Sequence, residues 1–350
     1  MARDWPRGSP VALRAAMSSP ARLQTIAVRH DGFGSRRFEQ DGQFGHVEVL
    51  DLSTALATAA AEQAIRARAA RLAEGDATML ARIVRIGRTG PTLSITSIAG
   101  GGVVPLGDLL AALEFGTVTL SDQAILELAG ATARAIGAMH ELRGSPVHGA
   151  LTPGHVLVRR DGTVVLSGAF FGDALQALQR NREQFWRVFG VALPPSASLP
   201  RFDHRADVTQ LGALVLAILL RRTLTATEYP KGILDLVAAA TDALKIPMPS
   251  RTALLLWLQQ TLQLHPKALF ATAADAARAY DSIVADISGR RAGGLLLQGV
   301  VKQMSSDQGP DEMPSAPVRV ASPICAVDAA GPVAPGPRSL TFLRLSLIHI

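Results

Sequence analysis

The groups in this chain that could carry acid–base, nucleophilic or metal chemistry are few. The densest run is His148-Gly149-Ala150-Leu151-Thr152-Pro153-Gly154-His155, followed by carboxylates at Asp173, Asp203 and Asp207 and an imidazole at His204. A histidine acts as general base only when an aligned partner holds it, and the sequence around His148 supplies none. The spacing of His148, His155 and His204 matches no metal-ligand pattern of regular secondary structure, so no metal site is expected. His155 is expected to be a hydrogen-bonded, half-buried histidine. The single cysteine, Cys325, has no sequence-local histidine and is not read as a nucleophile. Phosphate chemistry would call for a lysine or a glycine cradle. The first lysine is Lys231, and Gly32, Gly34, Gly42 and Gly45 do not form G-x-G-x-x-G.

These residues need elements to position them, and 48% hydrophobic against 18% charged residues is enough to bury a sizeable core. From 23 to 52 the pattern is strand-like, with Asp41-Gly42 as a turn signal. Residues 56 to 73 are alanine-rich and predict a helix. Glu62 and Arg66 sit four apart there as a surface pair. Arg66, Arg68 and Arg71 share no single face and read as solvated. Two β runs, ARIVRI and PTLSITSI, are joined by Gly87-Arg88-Thr89-Gly90, and one of them is expected to be buried on both faces. After Ala99-Gly100-Gly101-Gly102 come a short helix at 106–113 and a longer one, capped by Ser121, reaching about Leu142. A hairpin turning at Asp161-Gly162 follows, then three helices at about 205–221, 250–264 and 272–287.

The formal charge of +6 comes from scattered arginines without a lysine-rich run, which argues against a nucleic-acid partner. Residues 1–25 lack an export signal, and the apolar window Leu211–Leu220 is about half the ~20 residues a membrane span needs. The expectation is a cytoplasmic chain with no membrane span. Residues 1–22 read as a flexible terminus. Residues 289–350, with seven prolines between Pro310 and Pro337, read as a disordered Pro-rich tail.

Three stretches resemble the protein-kinase superfamily, over roughly residues 23 to 287. His148-Gly149-Ala150-Leu151-Thr152-Pro153-Gly154-His155-Val156-Leu157-Val158, before a hairpin, is similar to the catalytic loop H-R-D-L-K-P-x-N-I-L-V. Arg205-Ala206-Asp207-Val208-Thr209-Gln210-Leu211-Gly212 resembles the start of the central buried helix. Leu262 to Phe270, with His265-Pro266, resembles the closing D-P-x-x-R-F segment of bacterial Ser/Thr kinases. The resemblance implies a two-lobed α+β fold, with a small β-rich N-lobe at 23–98 and a larger, mostly helical C-lobe at 99–288.

The resemblance also shows what is missing. Phosphoryl transfer needs an aspartate on the acceptor hydroxyl, an asparagine and a second aspartate on magnesium, and a strand lysine paired to a helix glutamate. Ala150 and Thr152 stand where the loop aspartate and lysine belong, His155 where the asparagine belongs, and Gly168 where the metal-binding aspartate belongs. His148 is expected to pack under the loop. Asp207 is retained, and the resemblance implies that it accepts hydrogen bonds from the backbone at His148 and Gly149. Ser97, Ile98 and Ala99 match the hinge whose backbone holds adenine, so ATP without magnesium stays open there and no other cofactor is expected.

The resulting reading is a catalytically inactive pseudokinase, a scaffold or regulatory module of bacterial-type signalling that binds an unidentified protein partner. One alternative is an active or atypical Ser/Thr kinase, or another ATP-dependent transferase. Its metal would need at least one or two of Asp173, Asp203 and Asp207, taken as the only acids near the cleft, to face ATP, and two within reach of one nucleotide site would favour this alternative. A third reading, a helical interaction domain unrelated to kinases, requires that the strands before residue 99 form no sheet.

Overall fold

A computed structural model describes residues 28–73, 78–196, 198–264 and 269–288. The expectations for residues 1–22, for the start of the first strand run, for His265 to Ala268, for the Pro-rich stretch 289–350 and for Cys325 lie outside the described residues.

The chain builds a small antiparallel sheet lobe and a larger helical lobe. Strands β1 (Arg29–Asp31), β2 (Gly34–Asp41), β3 (Gly45–Leu52), β4 (Arg82–Thr89) and β5 (Thr92–Ile98) form one sheet in the order β1-β2-β3-β5-β4. This sheet removes the third reading. The β2–β3 turn works as its sequence suggests, since the Asp41 carboxylate accepts the backbone N–H groups of Gln43 and Phe44. The β4–β5 turn differs from expectation. β4 runs through Gly87 to Thr89, and the chain reverses at Gly90-Pro91, with Gly90 at φ +57°. β5 lies between two neighbours and buries Leu93, Ile95, Thr96 and Ser97, so it is buried on both faces.

Helix α1 (Ala59–Ala73) packs against β4. It starts three residues later than propensity alone suggests because the Thr58 hydroxyl accepts from Ala61 N–H and caps it. After residue 99 come β6 (Val104–Pro105), α2 (Leu106–Glu114) and α3 (Asp122–His140), the last capped by the Ser121 hydroxyl on Ala124 N–H. A 3-10 turn at Pro153–His155 leads into the hairpin β7 (Val156–Val158) and β8 (Val164–Leu166), which pairs with β6.

Six helices follow among the described residues, where the sequence reading gave three. The three expected are α6 (His204–Leu220), α8 (Met248–Thr261) and α9 (Ala273–Ser288). The additional ones are α4 (Gly172–Gln176), α5 (Arg182–Phe189) and α7 (Ile233–Asp242). α5 is a short helix fixed at both ends: Asn181 and Gln184 form a capping box, and Gly190 ends it at φ +65°.

Helix α6 is the axis of the large lobe, with every residue from Ala206 to Leu219 buried. Its apolar window is therefore core, and no helix among the described residues is long and apolar enough to cross a membrane. A second apolar cluster joins the lobes. It takes Phe33, Leu50, Ile65 and Ile95 from the small lobe, and Ala150, Phe171 and Phe189 from the large one.

Candidate functional site

The site expected from the sequence lies between the lobes, and α6 positions its loop. Asp207, fully buried, accepts from His148 N–H at 2.6 Å, from Gly149 N–H at 2.7 Å and from the His140 ring at 2.8 Å. His140 takes Ala273 N–H on its other nitrogen, which puts its proton toward Asp207. One turn later on α6, Gln210 accepts from Leu151 N–H at 2.7 Å. The loop can pass this close only because position 149 is glycine: φ is +75°, and a Cβ would lie 2.6 Å from Gly172 Cα.

Neither imidazole of the loop is available as a base. His148 is fully buried, accepts from Ala150 N–H and donates to the Ser167 carbonyl, and burial holds it neutral with its pKa lowered to about 4. His155 is also fully buried and donates from Nδ1 to the Ala150 carbonyl at 2.7 Å, with Thr152 Oγ1 at 3.3 Å. Burial and the nearby Arg36 guanidinium hold its pKa well below the ordinary value, and its Nε2 has no hydrogen-bond partner. Gly168 has φ +76°, and a Cβ there would stand 2.7 Å from the His155 ring. His155 and any side chain at 168 therefore compete for one space. Ala150 presents only a buried methyl group to the interlobe cluster.

The sequence reading missed the residues that occupy the cleft. Arg36 on β2 and Glu48 on β3 are 2% and 4% exposed and form an ion pair, Nε to Oε1, at 3.0 Å. In the hairpin register Arg36 opposes Leu50 and Glu48 opposes Phe38, so the pair is a diagonal on the cleft face. Arg36 Nη1 also donates across the cleft to the Gly154 carbonyl, and Ser167 Oγ donates to Glu48 at 3.3 Å. Burial raises the Glu48 pKa, and the Arg36 charge opposes that shift. The third strand, where the kinase resemblance calls for a lysine, thus presents a carboxylate.

The β1–β2 tip turns into the cleft. Phe33 is fully buried, with ring centroids 4.5 Å from His155, 4.8 Å from Phe171 and 5.2 Å from Phe189. Glycine is required beside it, because a Cβ at Gly32 would fall 1.8 Å from the Val188 carbonyl oxygen. At the hinge, Ser97 and Ala99 are buried, and Ile98 pairs with Val47 and Arg82. Ala99, Val103, Leu157 and Val165 form a cluster against which Phe38 and Ala81 pack.

Four sequence readings change here. His155, expected to be half-buried, is fully buried because the Phe33 and Phe171 rings pack against it. Arg68 is not solvated: it reaches the Ala169 and Val147 carbonyls and ties α1 to the large lobe, and burial lowers its pKa. Glu62 pairs with Arg88 as well as with Arg66. Asp173, Asp203 and Asp207 are not the only acids near the cleft, since Glu48 lies inside it. Those three are separately engaged: Asp173 with Arg71 at 2.6 Å, Asp203 capping α6 at Ala206 N–H, and Asp207 with the loop. His148 and His155 lie 6.3 Å apart between ring centroids, while His204 meets His140 edge to face and bonds Ser145.

No family model matches the chain, and no curated protein does. Solved structures do. The kinase domain of maize SIRK1 (sucrose-induced receptor kinase 1), bound to AMP-PNP, aligns over 77% of this chain and 97% of its own, with a TM-score of 0.58 and 14% identity. The PknI kinase domain of Mycobacterium tuberculosis aligns over 74% of this chain and 94% of its own, with a TM-score of 0.48 and 15% identity. With the two-lobed architecture, the maize alignment shows that this chain has a protein-kinase-like fold.

Proposed function

We propose that the chain is a non-catalytic, kinase-like binding module, a scaffold or regulatory element of a signalling system, whose nucleotide cleft is filled by its own side chains. The observation that carries this reading is the packing of Phe33 among His155, Phe171 and Phe189, beside the buried Arg36–Glu48 pair. Phosphoryl transfer depends on placed cations and a base. Here the third strand presents a carboxylate already paired with Arg36, both loop histidines are buried and neutral, and position 168 has no carboxylate. The partner proposed for such a module is another protein, recognised by a surface rather than through turnover.

A thermal-shift titration with ATP, run with magnesium and again with a chelator, tests this. A ligand at ~100 times its dissociation constant stabilises the native state by ~2.7 kcal/mol, so binding is easily seen. The expected result is no shift in either condition. A chelator-insensitive shift would point instead to adenine held by the Ser97–Ala99 backbone after Phe38 moves aside. A magnesium-dependent shift would reinstate the ATP-dependent enzyme.

A further inference from the structure

A cavity of about 550 Å³ opens on the other side of the β1–β2 tip, between β1, α2, the 151–154 segment, the end of α5 and α6. Its volume suits a small molecule of drug size. The floor is apolar, made by Trp186, Leu214, Ala217 and Leu224. The charged lining is Arg29, Arg36 and Arg187 with Asp31 and Asp108, and Glu48 pairs with Arg36 from the cleft side. Arg29 and Asp108 neutralise each other in an ion pair. Arg36 is 2% exposed and pairs with Glu48 through Nε, while its Nη2 has no hydrogen-bond partner and lies 3.9 Å from the Asp31 carboxylate. A buried guanidinium nitrogen left without an acceptor is costly, and an incoming anion would relieve it. Arg187 stands exposed at the same rim.

We propose that this cavity is a binding site for a small amphipathic anion, a carboxylate or phosphate ester whose head meets Arg36 and Arg187 and whose apolar body lies on α6. The site shares Arg36 with the cleft but opens on the other side of the tip, and it requires neither nucleotide nor metal. One group above the apolar floor fixes the orientation, and the floor supplies most of the affinity, as in ordinary ligand pockets. Whether the head is a carboxylate or a phosphate depends on which acceptor geometry the planar guanidinium meets better, and the two probes below separate these.

The test is isothermal titration of the full chain with decanoate, decyl phosphate and decan-1-ol, each below its aggregation limit. Decanoate or decyl phosphate should bind one per chain, and whichever binds more tightly identifies the head group. Decan-1-ol should bind roughly tenfold more weakly, the factor expected for losing one charge-assisted contact. Arg187→Ala removes a rim cation that has no structural partner, and should weaken the anion while leaving the melting temperature unchanged. Gly107→Leu places bulk in the cavity, where a Cβ meets nothing closer than 3.7 Å, and should abolish binding without unfolding α2. Equal affinity for decanol and decanoate would overturn the proposal. So would undiminished binding to Gly107→Leu, displacement of decanoate by ATP, or the absence of heat with every probe.

Discussion

At the scale of residues, His148 and His155 separate structural from catalytic use of an imidazole. Both rings are fully buried and neutral, and each uses Nδ1 on the loop's own backbone at Ala150. Their titration is therefore a property of stability. His148 has a folded pKa of about 4 against 6.5 in an unfolded chain, so the unfolded state binds the proton first as pH falls. Stability is complete above 6.5 and is lost as the pH drops toward 4. A shift of this size corresponds to a loss on the order of 3 kcal/mol, and His155 shifts in the same direction. Urea denaturation at pH 7.5, 5.5 and 4.5 should show falling midpoints, with a shallower fall in His155→Asn, which keeps a polar side chain but cannot titrate in this range. Midpoints that stay level between pH 7.5 and 4.5 would show that the two rings are not buried as described.

At the scale of elements, the β1–β2 tip separates this cleft from an open one. Its position depends on Gly32, whose backbone lies against the Val188 carbonyl, and its effect depends on Phe33. Phe33→Ala should cost about 3–5 kcal/mol, the usual range for emptying a buried aromatic site. Gly32→Ala should cost a comparable amount without touching the ring, because the added methyl lifts the tip off α5 and takes Phe33 with it. Denaturant midpoints compare the two directly. A near-neutral Gly32→Ala would mean the tip is not held against Val188. Local chemistry made several elements legible in the sequence: Ser121 capping α3, Asp41 turning β2 into β3, and the continuous apolar run of α6. The same rules applied to Asn181, Gln184 and Gly190 would have found α5, whose signals are present in a segment rich in aromatics. The Arg36–Glu48 pair is legible only after the Asp41 turn fixes the hairpin register, which puts both residues on one face. Nothing local in Asp31-Gly32-Phe33-Gly34 shows that the ring turns inward, because the His155, Phe171 and Phe189 rings that receive it are more than 120 residues away in the chain.

At the scale of the whole molecule, two lobes joined through a hinge would by default move independently, unless their interface is large and apolar. Here the interface is a shared core, with Phe33, Leu50 and Ile65 in one cluster with Phe171 and Phe189, and Arg36 bonded across it to Gly154. Arg68 adds a second tie from α1 to the Val147 and Ala169 carbonyls. The described lobes should therefore unfold as one cooperative unit, with equal calorimetric and van't Hoff enthalpies. The buried ion pair allows a sharper test of what locks them. Breaking such a pair by removing one partner commonly costs about 3–5 kcal/mol, whereas replacing both with apolar groups is often neutral or stabilising. Arg36→Met alone leaves the Glu48 carboxylate buried beside Ser167 with no cation, and should split or broaden the melting transition. Arg36→Met combined with Glu48→Leu should restore a single transition near that of the parent, and ATP should still produce no shift, since Phe33 still occupies the cleft. If the double variant were as unstable as Arg36→Met, the bond from Arg36 to Gly154 would be what joins the lobes. If the parent itself melted in two steps, the shared core would not join them at all.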